Sequence, residues 1–107
     1  MDVQLLIVDG CPNEGPAAVV LRRALDEVGL AAVGFTTAVV TGQAEAEQLG
    51  FLGSPSVHID GRDPFADPTR VPALACRLYS DGAGLSGVPP LGSLRQALKR
   101  AADNASR

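Results

Sequence analysis

Cys11 and Cys76 are the two thiols of this 107-residue chain. Cys11 ends the run Val3-Gln4-Leu5-Leu6-Ile7-Val8-Asp9-Gly10-Cys11-Pro12-Asn13-Glu14, an apolar strand that opens into a turn with helical spacing beyond it. A helix start offers unpaired N–H groups and a partial positive charge. Both favour a thiolate, the form that attacks disulfides and binds soft metals. Position 14, where a second thiol would complete a local redox pair, is Glu. Asp9 and Glu14 bring negative charge that works against the thiolate. Gly15-Pro16 predicts that the helix proper begins at Pro16, which leaves Cys11 on a loop before it. Cys76 lies in an apolar stretch, where a free cysteine is commonly a core residue. It serves Cys11 as a resolving thiol or second metal ligand only if their Cα atoms lie within about 7 Å.

The composition sets limits on the rest. Apolar residues make up 46% and aromatics 4%, so one core of Leu, Val, Ile and Ala is expected in a single domain spanning 1–107. The net charge of −3 excludes the clustered positive charge that nucleic-acid binding needs. No apolar run is long enough to cross a bilayer, and Asp2 at the start is unlike a basic leader, so a cytoplasmic, non-membrane protein is expected. In that compartment two thiols stay reduced.

The elements that must position Cys11 follow from periodicity. Val3–Val8 is apolar on both alternating faces, the pattern of a central strand covered on each side. Ala17, Leu21, Ala24, Leu25 and Val28 recur at helical spacing up to Gly29. Ala32–Val40 alternates as a second strand, and Gln43–Leu49 is a short acidic helix stopped by Gly50. Val57-His58-Ile59 is a third strand closed by the Asp60-Gly61 turn. Residues 62–72, rich in Pro and Asp, read as an ordered loop. Leu74–Tyr79 is expected as a fourth strand, antiparallel to the third because no crossover helix separates them. Gly82–Pro90 reads as a flexible loop. Ser93-Leu94-Arg95-Gln96 matches a capping box, and Leu94, Ala97, Leu98 and Ala101 give the last helix an apolar face. The tail from about Asp103 is expected to fray.

This order, β-α-β-α-β-β-α, is that of the thioredoxin-like arrangement, an α/β fold with a four-stranded mixed sheet and helices on both faces; order alone leaves other small α/β folds open, and Cys11 at the first strand-to-helix turn and Ser54-Pro55 narrow the choice. Ser54-Pro55, just before the third strand, stands where that fold keeps a cis-proline beside its thiol. The chain resembles small bacterial thioredoxin-family proteins, some of them labelled alkylmercury lyase. The resemblance lies in Asp9-Gly10-Cys11-Pro12-Asn13, in Gly50 to Val57, in Asp60-Gly61-Arg62-Asp63-Pro64-Phe65, and in Cys76-Arg77-Leu78-Tyr79 with Gly87 and the last helix. It implies Cys11 as the principal thiol, Pro12, Ser54 and Pro55 as substrate contacts, and the Ser54 backbone as a place for an extended substrate to pair. It also implies Gly87 and Val88 as a wall of the site.

Three functions fit these residues. The first is monothiol exchange with a small-molecule or protein disulfide. Cys11 attacks, and a small thiol such as glutathione, or Cys76, releases it. The second is soft-metal capture or carbon–mercury cleavage, with Cys11 and Cys76 as thiols and Asp9 as the acid. The third is a binding module that has kept the fold without the chemistry. No cofactor or resident metal is expected. The thiols lack zinc spacing, the glycines after Gly82 lack a phosphate-loop Gly-Lys-Ser/Thr, and His58 reads as a packed or solvated strand residue outside the site.

Overall fold

Val3–Ile7 (β1) is the central strand of the computed structural model, which describes residues 1–105. Its two apolar faces serve two cores. Val3, Leu5 and Ile7 pack with helix α1 (Glu14–Glu27) and helix α3 (Leu91–Ala105) through Ala17, Leu21, Ala24, Leu25, Leu94 and Leu98. Leu6 and Val8 face the other way, onto Val40, Phe51 and Ala46 of helix α2 (Gln43–Leu49). Each fully buried leucine contributes about 1.5–3 kcal/mol, so the α1/α3 side holds most of the stability.

Strand β2 (Thr36–Val39) runs parallel to β1, with Gln4 opposite Thr36 and Ile7 opposite Val39. It is the exposed sheet edge and is shorter than the expected 32–40. Arg22 of α1 holds the preceding loop by donating to the carbonyls of Val33 (2.8 Å) and Ala31 (3.2 Å). Strand β3 (Ser56–Ile59) lies on the other side of β1, antiparallel, pairing Leu6 with Ser56 and Val3 with Ile59. The sheet order is therefore β2-β1-β3, mixed, with α1 and α3 on one face and α2 on the other. Helix α2 matches its expected bounds and ends on Gly50 at φ 68, a left-handed cap that glycine adopts without steric cost.

The fourth strand differs from expectation. Tyr79–Ser80 (β4) pairs with Leu85–Ser86 (β5) in a separate two-stranded sheet, and among the described strands β1 alone forms a ladder with β3. The cause lies in residues 62–77. Asp63 and Asp67 accept hydrogen bonds from the N–H groups of Phe65 (2.8 Å) and Thr69 (2.9 Å), closing local turns. Pro64, Pro68 and Pro72 offer no N–H to a ladder. Arg77, in the middle of the expected strand, sends its side chain to Asp63 instead of lying along β3. The β3 edge is met in other ways: the Tyr79 hydroxyl donates to the Pro55 carbonyl, and Ile59 pairs with Arg62 across the turn.

Three smaller differences follow from local chemistry. Helix α1 starts at Glu14, two residues before Pro16, since proline is tolerated in a first turn. Helix α3 starts at Leu91, after Pro89-Pro90, so Ser93 lies within the first turn and is not the cap. That helix runs through Ala105, so the expected tail from Asp103 begins inside it, and the last two residues of that tail lie outside the described residues. Among the described residues, no helix is long and apolar enough to cross a membrane.

Candidate functional site

Cys11 sits on the turn between β1 and α1. Gly10 makes that turn at φ 71, and the Cys11 N–H donates to the Val8 carbonyl at 3.2 Å. The thiol is half-buried and packs against the α1/α3 core. Asn13 precedes α1 but makes no side-chain cap. Glu14 is the first helical residue, where a carboxylate complements the helix dipole. That gives Glu14 a structural reason to stand where a second thiol would. Asp9 and Pro12 are exposed beside Cys11.

The Ser54–Pro55 peptide bond is cis, and both residues are buried. Val8 joins this segment to the thiol turn: its carbonyl accepts from Cys11 and its N–H donates to Ser54 Oγ at 3.0 Å. Gly87 comes from a third direction. A Cβ built on Gly87 would lie 3.0 Å from Asn13 Cγ, so the loop before α3 rests on the residue two places after the thiol. Val88 packs on the same core as Cys11. Val8 and Asn13 thus connect the Ser54 segment and the Gly87 loop to the turn that carries Cys11.

Ser54 departs from its expected role. Its N–H donates to the Ala75 carbonyl (2.7 Å) and its carbonyl accepts from the Arg77 N–H (2.9 Å). Cys76 is therefore opposite Ser54 in a parallel bridge, and the backbone edge expected to receive a substrate is filled by this chain. Cys76 is exposed, not a core residue, because the strand that would have buried it does not form. Both cysteines are free thiols.

Behind Pro55 lies a buried polar cluster that sequence reasoning treated as turn chemistry and a strand. Arg77 is 2% exposed and donates to Ser56 Oγ (2.9 Å), Asp63 Oδ2 (2.7 Å) and the Phe65 carbonyl (2.8 Å). Its guanidinium carbon stands 4.7 Å from the centre of the Tyr79 ring, and Phe65 meets that ring edge-on at 5.4 Å. Burial pushes the Tyr79 phenol up to about 12, against the opposing pull of the Arg77 cation. His58 is buried too, and desolvation holds its imidazole below the ordinary value, with Arg77 acting in the same direction and Asp63 against it. Among the described residues, neither His58 Nε2 nor Arg77 Nε has a hydrogen-bond partner. The signal in the sequence was Arg77 itself: an arginine inside an apolar stretch needs a buried partner, and Asp63 was the acid at hand.

Three clefts of about 350–400 Å³ flank residues 59–80 and α3, and Cys11, Ser54 and Pro55 line none of them. Among the described residues, no group of three or more His, Cys, Asp or Glu side chains is placed to hold a metal ion. No family model matches the chain, and no curated protein or solved structure matches it either.

Proposed function

We propose that this protein is a thioredoxin-like thiol exchanger that acts through Cys11 alone. The observation that carries the reading is the link through Val8, which hydrogen-bonds the Cys11 turn on one side and Ser54, next to the cis Pro55, on the other. The sheet order β2-β1-β3, with its parallel and antiparallel neighbours, supports a thioredoxin-like plan whose fourth strand has been replaced by the Arg77 segment.

The reaction proceeds in two balanced steps. The Cys11 thiolate attacks one sulfur of a disulfide, forming a mixed disulfide and expelling the other sulfur as a thiolate. A low-molecular-weight thiolate then attacks the mixed disulfide, freeing Cys11 and carrying away the bound half as a new disulfide. The incoming thiol supplies the electrons. No second cysteine is required, which suits Glu14 at the position of the missing pair. Two free thiols also suit a reducing compartment.

The test is turnover of a disulfide with excess thiol by the wild type, Cys11→Ser and Cys76→Ser. Cys11→Ser should fall to the uncatalysed rate, and Cys76→Ser should retain activity. Turnover that survives Cys11→Ser defeats the proposal.

A further inference from the structure

A sheet edge recruits an extended peptide through N–H and C=O groups that have no partner of their own. Ser54, tied to the thiol turn through Val8, carries one main-chain pair of this kind, and both of its groups are already used. Ala75 accepts from it at 2.7 Å and Arg77 donates to it at 2.9 Å, while the Ala73 N–H extends the same strap to the Phe51 carbonyl at 3.1 Å.

Two independent features fix that strap in place. The first is its anchor. Arg77 is 2% exposed, with hydrogen bonds to Ser56, Asp63 and Phe65, so lifting the strap uncovers an ion pair as well as three main-chain bonds. The second is the close approach at Gly53, which lies at φ 128. A Cβ there would stand 2.9 Å from Arg77 Cβ and 3.2 Å from the Ala75 carbonyl oxygen. Absence of a side chain at position 53 lets the strap lie flush against Ser54.

Resting on the thiol-exchange reading, we propose that the substrates of Cys11 are small-molecule disulfides and thiols, and that extended polypeptides are excluded because Ala75–Arg77 permanently fills the strand-addition edge. The half-buried thiol on an open turn remains reachable by a molecule that needs no backbone pairing. An extended chain loses the hydrogen bonds that would orient its disulfide for attack.

The experiment compares two probes on the wild-type protein. One is bis(2-hydroxyethyl) disulfide. The other is an unstructured peptide whose mid-chain cysteine carries the same 2-mercaptoethanol group. Mixed-disulfide formation at Cys11 is followed by peptide mass mapping, which separates it from the exposed Cys76, and amide hydrogen exchange is read at Ser54 and Arg77 with and without peptide. The small disulfide should react at least roughly tenfold faster, a difference of about 1.4 kcal/mol in barrier. Both amides should be protected as well as those of β1 and be unaffected by peptide. A peptide that reacts as fast, or that changes exchange at Ser54 and Arg77, overturns the substrate assignment and leaves thiol exchange standing. Failure of both probes at Cys11 overturns the thiol-exchange reading, and the substrate assignment with it.

Discussion

Arg77 and Asp63 form an ion pair of 2.7 Å between side chains only 2% and 5% exposed. They are 14 residues apart, and the pair holds the 62–77 excursion against β3. Breaking such a pair leaves one charge buried without its partner, which costs about 3–5 kcal/mol. Arg77→Met and Asp63→Asn should each lower the urea midpoint by a corresponding amount. The double variant should lose clearly less than the sum, since no lone charge remains. It should not reach wild-type stability, because Ser56 and the Phe65 carbonyl lose a donor. Strict additivity in that cycle would show that the two side chains do not act as a pair.

Tyr79 allows a cleaner dissection. Its hydroxyl bonds the Pro55 carbonyl at 2.5 Å, while its ring separately meets Phe65 and Arg77. Tyr79→Phe keeps both ring contacts and leaves a buried acceptor unmet, a loss of about 1–3 kcal/mol. The chain has one tyrosine and no tryptophan, so phenolate absorbance reports on this residue alone. Its midpoint should lie near 12, above the usual value of 10. A phenol held protonated by the fold stabilises it fully below pH 10, and that contribution is lost as pH rises from 10 toward 12. Tyr79→Phe should lack this alkaline limb. Ionisation at 10 in the folded protein would contradict the burial.

Much of this placement was legible in the chain. The two-faced apolar pattern of β1 marks a central strand, and the repeat of Leu21, Leu25, Leu94 and Leu98 marks the helices that cover one face. Ser54-Pro55 marked the neighbour of the thiol turn. The fate of residues 74–79 was hidden because alternation reports only which residues prefer burial. It does not say that Asp63 will claim Arg77, or that Ala75–Arg77 will meet Ser54 in parallel. Both are contacts between distant segments. They decided the exposure of Cys76 and the occupancy of the Ser54 edge.

His58, the one histidine, should titrate below its usual 6.5 because burial disfavours the imidazolium. Its depressed folded value gives a definite sign. The fold is most stable above pH 6.5, where the imidazole is neutral in both states, and loses stability as pH falls from there through the folded pKa. Proton NMR of the imidazole ring and urea midpoints between pH 5 and 8 should agree on that window. A His58→Gln variant should lose the acidic limb. A ring that titrates at or above 6.5 would overturn the assignment.

Gly84 in the β4–β5 turn and Gly87 just after β5 form a matched pair of tests. A Cβ at Gly84 meets nothing within 4 Å, whereas one at Gly87 runs into the Asn13 side chain. Gly84→Ala should therefore stay within about 0.5 kcal/mol of wild type. Gly87→Ala should cost about 1 kcal/mol, because the Asn13 side chain has to swing away from the new methyl. The consequence reaches the thiol, since Asn13 is two residues from Cys11 and Val88 packs on the same core. Displacing this contact loosens the wall beside Cys11. Iodoacetamide should then alkylate Cys11 several-fold faster in Gly87→Ala, with Gly84→Ala unchanged; mass mapping separates this from labelling of the exposed Cys76. Equal Cys11 rates in both variants would mean that the loop does not shield the thiol.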